Sequence, residues 1–155
     1  MCTILRRLHI SDTGVLLRSV KKTLKRWMDN NRAVMPMGYV RVRGIIANPL
    51  DRSIKEELEF IADTGAIYTV IPESVANRLK LEEVDRRRFK TASGKVVEYP
   101  VSEAYITIEE RGVTSLVAIA NEKTPILLGV TTLELLGLQV DPVSGRLIPL
   151  ELMIL

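Results

Sequence analysis

The chain has 155 residues, 46% of them apolar and 5% aromatic, which suits one domain of ordinary size and excludes two full lobes. One cysteine (Cys2) and one histidine (His9) exclude an intrachain disulfide and a conventional zinc site, so chemistry must rest on carboxylates, hydroxyls, lysines or an imported metal. The net charge of +3 divides unevenly, +6 over residues 1–36 and −3 over the rest, which argues against a nucleic-acid surface spread over the whole protein.

No run approaches the roughly 18 apolar residues of a membrane span. The N-terminus lacks the apolar core and small-residue cleavage site of a secretory signal. A cytoplasmic protein is the expectation.

Residues 15–28 place Leu16, Val20, Leu24 and Trp27 at helical spacing with a basic face between them. Ser11, Asp12 and Thr13 can cap that helix. Residues 1–36 therefore read as a basic, helical N-terminal extension, either a solvated helix or sequence upstream of a start at Met35 or Met37. The less favoured reading is an anchor for anionic lipid or nucleic acid. From Met37 the pattern turns to strands. Residues 39–46 alternate until Asn48-Pro49 breaks them, and residues 57–62 alternate again and run into Asp63. A short strand over residues 69–71 precedes Pro72, which opens a two-turn helix over 73–79. Residues 92–95 read as a hairpin tip, with strands over 96–101, 104–108 and 113–120. Residues 126–128 are a fully apolar strand, and residues 131–137 a capped helix with a glycine stop. After a turn at 141–145, residues 146–155 complete the sheet. The fold class is mostly β: a closed β-barrel.

Residues 60–72 carry the most information. Asp63 ends an apolar strand and is followed by Thr64-Gly65, where the chain must turn tightly. Glycine permits that turn and lets other groups approach the carboxylate. Apolar flanks imply burial, which is costly for a lone ionised acid.

The segment Phe60-Ile61-Ala62-Asp63-Thr64-Gly65-Ala66-Ile67-Tyr68-Thr69-Val70-Ile71 resembles the active-site loop of aspartic proteases in their single-lobe, retropepsin-like form. A second signature, Ile126-Leu127-Leu128-Gly129 and a helix, resembles the apolar pair and glycine that brace that loop. The likeness covers residues 38–150, with the domain placed at 37–155. It implies an acid-protease barrel, one lobe per chain, with one short C-terminal helix. It also implies a homodimer in which two Asp63 carboxylates, sharing one proton, activate a water against a peptide bond. By the same likeness Thr64 bonds across the dimer and the Gly65 carbonyl faces substrate. Ala66 and Thr69 complete the loop, Leu128 and Gly129 support it, and Ser93 and Gly94 form a flap over an extended peptide or unfolded protein. No metal or other cofactor is implied.

Three departures bear on substrate and assembly. Ile67 and Tyr68 stand where retroviral enzymes usually have acids, which points to apolar subsites. Val130 stands where they have an arginine that ties the dimer, leaving residues 151–155 as a candidate clasp. The flap has one glycine where retroviral flaps have several. The run Arg86-Arg87-Arg88 reads as a solvated face before the flap, with contact to acidic substrate side chains as its one conceivable role. The second Asp-Thr-Gly, at Asp12-Thr13-Gly14, reads as a helix cap, because Val15 follows it and only about half a lobe separates it from Asp63. The leading reading is an aspartic endopeptidase; the alternative is a catalytically silent dimeric peptide-binding module of the same fold.

Overall fold

Strand order around the sheet decides what the Asp63 segment can touch. The computed structural model describes residues 39–154; the basic helix expected over residues 15–28 and the second Asp-Thr-Gly lie outside them. Strands β1 (Val40–Ala47), β2 (Lys55–Asp63), β3 (Thr69–Pro72), β4 (Asp85–Lys90), β5 (Val96–Ile108), β6 (Arg111–Ala120) and β7 (Leu127–Gly129) form one sheet. Its order is β1-β2-β7-β3-β6-β5-β4, and β1 also pairs with β5. Six strands thus close into a barrel, and β4 hangs outside the ring on β5 alone. Closure leaves these six strands without the bare edge that an open sheet carries.

Alternation along the strands builds the core. Phe60, Ile46, Ile71, Ile106, Ile108, Val117 and Leu128 are wholly buried inside the barrel, each side chain stabilising by about 1.5–3 kcal/mol relative to exposure. Two short helices, α1 (Glu73–Arg78) and α2 (Val130–Leu135), turn Val75, Ala76, Thr132 and Leu133 inward. Among the described residues no helix is long and apolar enough to cross a membrane.

The structure departs from the sequence reading in four places. Residues 96–108 form one strand rather than two. Pro100 is tolerated because β5 takes up β6 only from Val101 onward, so no β6 carbonyl requires the missing N–H. The run Arg86-Arg87-Arg88 belongs to β4, the first strand of the β4–β5 hairpin, and its exposed alternate faces hid the strand. Helix α2 carries no side-chain cap. Finally, β8 (Leu138–Asp141) and β9 (Arg146–Pro149) pair with each other in a separate two-stranded sheet and do not complete the main one.

Candidate active site

Strand β7 lies between β2 and β3, parallel to β2 with Ile61 opposite Leu127, Ala62 opposite Leu128 and Asp63 opposite Gly129. Since β2 and β3 flank β7, residues 64–68 must cross over its end. The two sequence signatures, far apart in the chain, are therefore neighbours.

Asp63 is half-buried at the end of β2. The Gly65 amide donates to its Oδ1 at 2.8 Å, and the Ala66 amide donates to its main-chain carbonyl at 3.2 Å. The Gly65 hydrogen bond fixes the orientation of the carboxylate. Of the two reasons read for glycine at 65, freedom in the turn and close approach to the carboxylate, the second is the one that applies. Its backbone is not left-handed. A Cβ there would stand 3.1 Å from Asp63 Oδ1, so glycine serves close approach. Thr64 and Gly65 are exposed, Ala66 is half-buried, and Ile67 is 65% exposed.

Helix α2 holds the loop from beneath. Its Val130 amide donates to the Ala66 carbonyl at 2.8 Å and its Thr131 amide to the Ile67 carbonyl at 3.1 Å. The first-turn N–H groups of a helix need partners outside it, and here the loop supplies them, which is why no side-chain cap is present. Gly129 meets the loop backbone: a Cβ there would lie 2.3 Å from the Tyr68 carbonyl carbon and 2.6 Å from the Thr69 nitrogen. Only glycine fits. Leu128, wholly buried, anchors β7 in the core.

Beneath these contacts runs a buried chain of hydroxyls. Thr69 Oγ1 accepts the Gly129 N–H at 3.1 Å and lies 2.8 Å from Thr132 Oγ1, which lies 2.9 Å from Ser115 Oγ. Thr69 and Thr132 are fully buried and Ser115 nearly so. The sequence reading named Thr69 and missed Thr132 and Ser115. A signal existed for Ser115, the polar member of an inward series with Val113, Val117 and Ile119 on β6. A buried hydroxyl on a core face requires a partner.

The expected flap is the β4–β5 hairpin. At its tip the Thr91 amide donates to the Lys95 carbonyl, and Gly94, at φ +83°, donates to the Thr91 carbonyl, both at 2.8 Å. Thr91 and Ser93 hydroxyls lie 2.9 Å apart. Ser93 and Gly94 are both exposed. Arg86 pairs with Glu83 at 2.8 Å, and Arg87 with Asp85 at 2.8 Å. The Arg87 hydrogen bond, with the Arg86 amide behind it, draws the Asp85 carboxyl below its ordinary value. Among the described residues no cluster of three or more His, Cys, Asp or Glu side chains is placed to hold a metal.

A family described as gag-polyprotein putative aspartyl protease matches residues 54–135, more than half of the chain. The chain belongs to this family. No curated protein matches it. The aspartyl protease match begins just before β2 and ends with α2, so it takes in Asp63, the β4–β5 hairpin, Gly129 and the helix that braces the loop.

Proposed function

We propose that the protein is an aspartic endopeptidase whose active form is a homodimer with one Asp63 from each chain. The observation that carries this reading is the setting of Asp63, opposite Gly129 on a parallel strand and held by the Gly65 amide, within an aspartyl protease family match. Each chain brings one such aspartate to the described domain, so the second carboxylate comes from a second chain. Two carboxylates around one water cannot both ionise, and the pair holds one proton. The ionised member takes a proton from the water, whose oxygen attacks the peptide carbonyl carbon. The other member gives its proton to the developing oxyanion, and collapse of the tetrahedral intermediate breaks the C–N bond as the nitrogen is protonated.

The remaining site residues take supporting roles in this reading. The exposed Thr64 hydroxyl bonds to the partner loop, and the Gly65 carbonyl faces substrate. Ser93 and Gly94 close over an extended peptide that pairs as an added strand. Ile67 lines an apolar subsite. Leu152, Met153 and Ile154, 65%, 82% and 97% exposed in the single chain, supply apolar surface for the dimer. A cytoplasmic location accords with the lone cysteine.

The test is digestion of an unfolded protein from about pH 3 to 7 by the parent and by Asp63→Asn, with the oligomeric state of each followed by sedimentation. Cleavage that is strongest in acid and disappears in the variant supports the reading. Equal cleavage by both overturns it. A dimer of the parent that cuts nothing at any pH replaces the enzyme with a peptide-binding module.

A further inference from the structure

Tyr68 ends the loop that carries Asp63, and its side chain meets the flap twice. The Arg87 guanidinium donates to the Tyr68 hydroxyl. Phe89 presents its ring edge-on to the Tyr68 ring, with centroids 5.9 Å apart and planes at 74°. Arg87 and Phe89 are two residues apart on β4 and so share a face. Tyr99, opposite Arg87 on β5, packs on Phe89 with centroids 6.0 Å apart. Arg87 is steadied from its other side by Asp85.

The two ends of this contact differ in freedom. On the loop side the Tyr68 main chain lies against Gly129, and the next residue, Thr69, is wholly buried. On the flap side β4 pairs with β5 alone, outside the closed ring, and every residue of β4 except Phe89 is exposed. A side chain rooted in the barrel floor thus holds the element of the domain with the fewest other anchors. Such weakly anchored hairpins are where local opening is expected.

We propose that Tyr68 is a latch for the flap: a positioning residue that holds the β4–β5 hairpin to the catalytic loop through its hydroxyl on Arg87 and its ring on Phe89. The consequence for substrate rests on the protease reading above. A flap that leaves the loop more often closes less firmly over an extended peptide, so loosening the latch weakens substrate binding more than it slows the bond-breaking step. The sequence departure at position 68, where an acid is usual in retroviral enzymes, thereby acquires a role in this chain.

The experiment is hydrogen exchange on the full chain for the parent, Tyr68→Phe, Tyr68→Ala, Arg87→Met and Arg88→Met, the last lying on the opposite face of β4. Tyr68→Phe and Arg87→Met each remove the same hydrogen bond, and amides of residues 85–101 should exchange about three- to tenfold faster in both. Tyr68→Ala also removes the ring contact and should accelerate them further, while β2 and β6 stay as protected as in the parent. Arg88→Met should leave the flap unchanged. Unaltered flap exchange in Tyr68→Ala overturns the latch. Equal acceleration in β2 and β6 also overturns it, since Tyr68 would then merely support the barrel. With a peptide substrate, Tyr68→Phe should raise KM about threefold or more and keep kcat within about twofold; a fall in kcat at constant KM overturns the latch. If Asp63→Asn shows that the protein is no protease, the exchange result still decides the latch by itself.

Discussion

Replacing Thr132 by Val keeps the branched shape of the side chain and removes the central hydroxyl of the buried chain from Thr69 to Ser115. Two hydrogen bonds are lost, at 2.8 and 2.9 Å, each contributing about 0.5–1.5 kcal/mol net. Thr69 keeps the Gly129 amide, but Ser115, 5% exposed, loses its partner on that side. A stranded buried hydroxyl costs about 1–3 kcal/mol, a figure that already contains the loss of its own bond, so with the Thr69 bond the sum for Thr132→Val is about 1.5–4.5 kcal/mol. For a domain of this size that is a fall in Tm of roughly 6–18 °C. Ser115→Ala removes one bond and leaves Thr132 paired with Thr69, so it should cost only about 1 kcal/mol. The pair also couples: in the double variant no Ser115 hydroxyl remains to be stranded, so Thr132→Val/Ser115→Ala should be no less stable than Thr132→Val alone. Thermal and urea melts of the four proteins, followed by circular dichroism, measure all of this. Refutation would be a Thr132→Val protein that melts within about 1 °C of the parent, or a double variant whose loss equals the sum of the singles.

Gly129→Ala should prevent folding or cost more than about 3 kcal/mol, because the new Cβ meets Tyr68 and Thr69 backbone that cannot step aside; soluble yield and a urea melt test it. Gly65→Ala places its methyl against the Asp63 carboxylate at 3.1 Å in an open loop, so melting should shift by less than about 1 kcal/mol while proteolytic rate falls at least tenfold. Phe60→Ala, at the wholly buried centre of β2, should cost about 3–5 kcal/mol in the same melts. Acid should destabilise the domain. Asp85, Glu122 and Asp141 are held below their ordinary values by hydrogen bonds from Arg87, from the Ser74 amide and from the Ser144 hydroxyl respectively. The unfolded chain therefore takes up these protons first as pH falls, and the stability they confer is full above about pH 5 and lost progressively below about pH 4. Urea midpoints that are flat from pH 6 to pH 3 would contradict this.

The mostly-β character and the two loop signatures were legible in the sequence because each is local. Period-two alternation marks β1 and β2, and the Asp63-Thr64-Gly65 turn and the apolar run ending at Gly129 are written in consecutive residues. The family match over residues 54–135 takes in these segments except β1. The glycine stop after α2 was also legible, and Gly137 has the φ of +66° that such a stop uses. Strand β4 was not, because its partner is β5 alone and its exposed arginines show no alternation of polarity.

Register and closure decided the rest. Only the insertion of β7 between β2 and β3 sets Asp63 beside Gly129 and turns the α2 N–H groups onto the loop carbonyls. Only packing joins Thr69 on β3, Thr132 on α2 and Ser115 on β6 into one buried chain, since a hydroxyl's partner across tens of residues leaves no local trace. The contacts of Tyr68 with Arg87 and Phe89 have the same origin: position 68 announced a departure from acid, and the fold determined that the ring and hydroxyl would meet β4. Local chemistry named the carboxylate, and long-range pairing built its support.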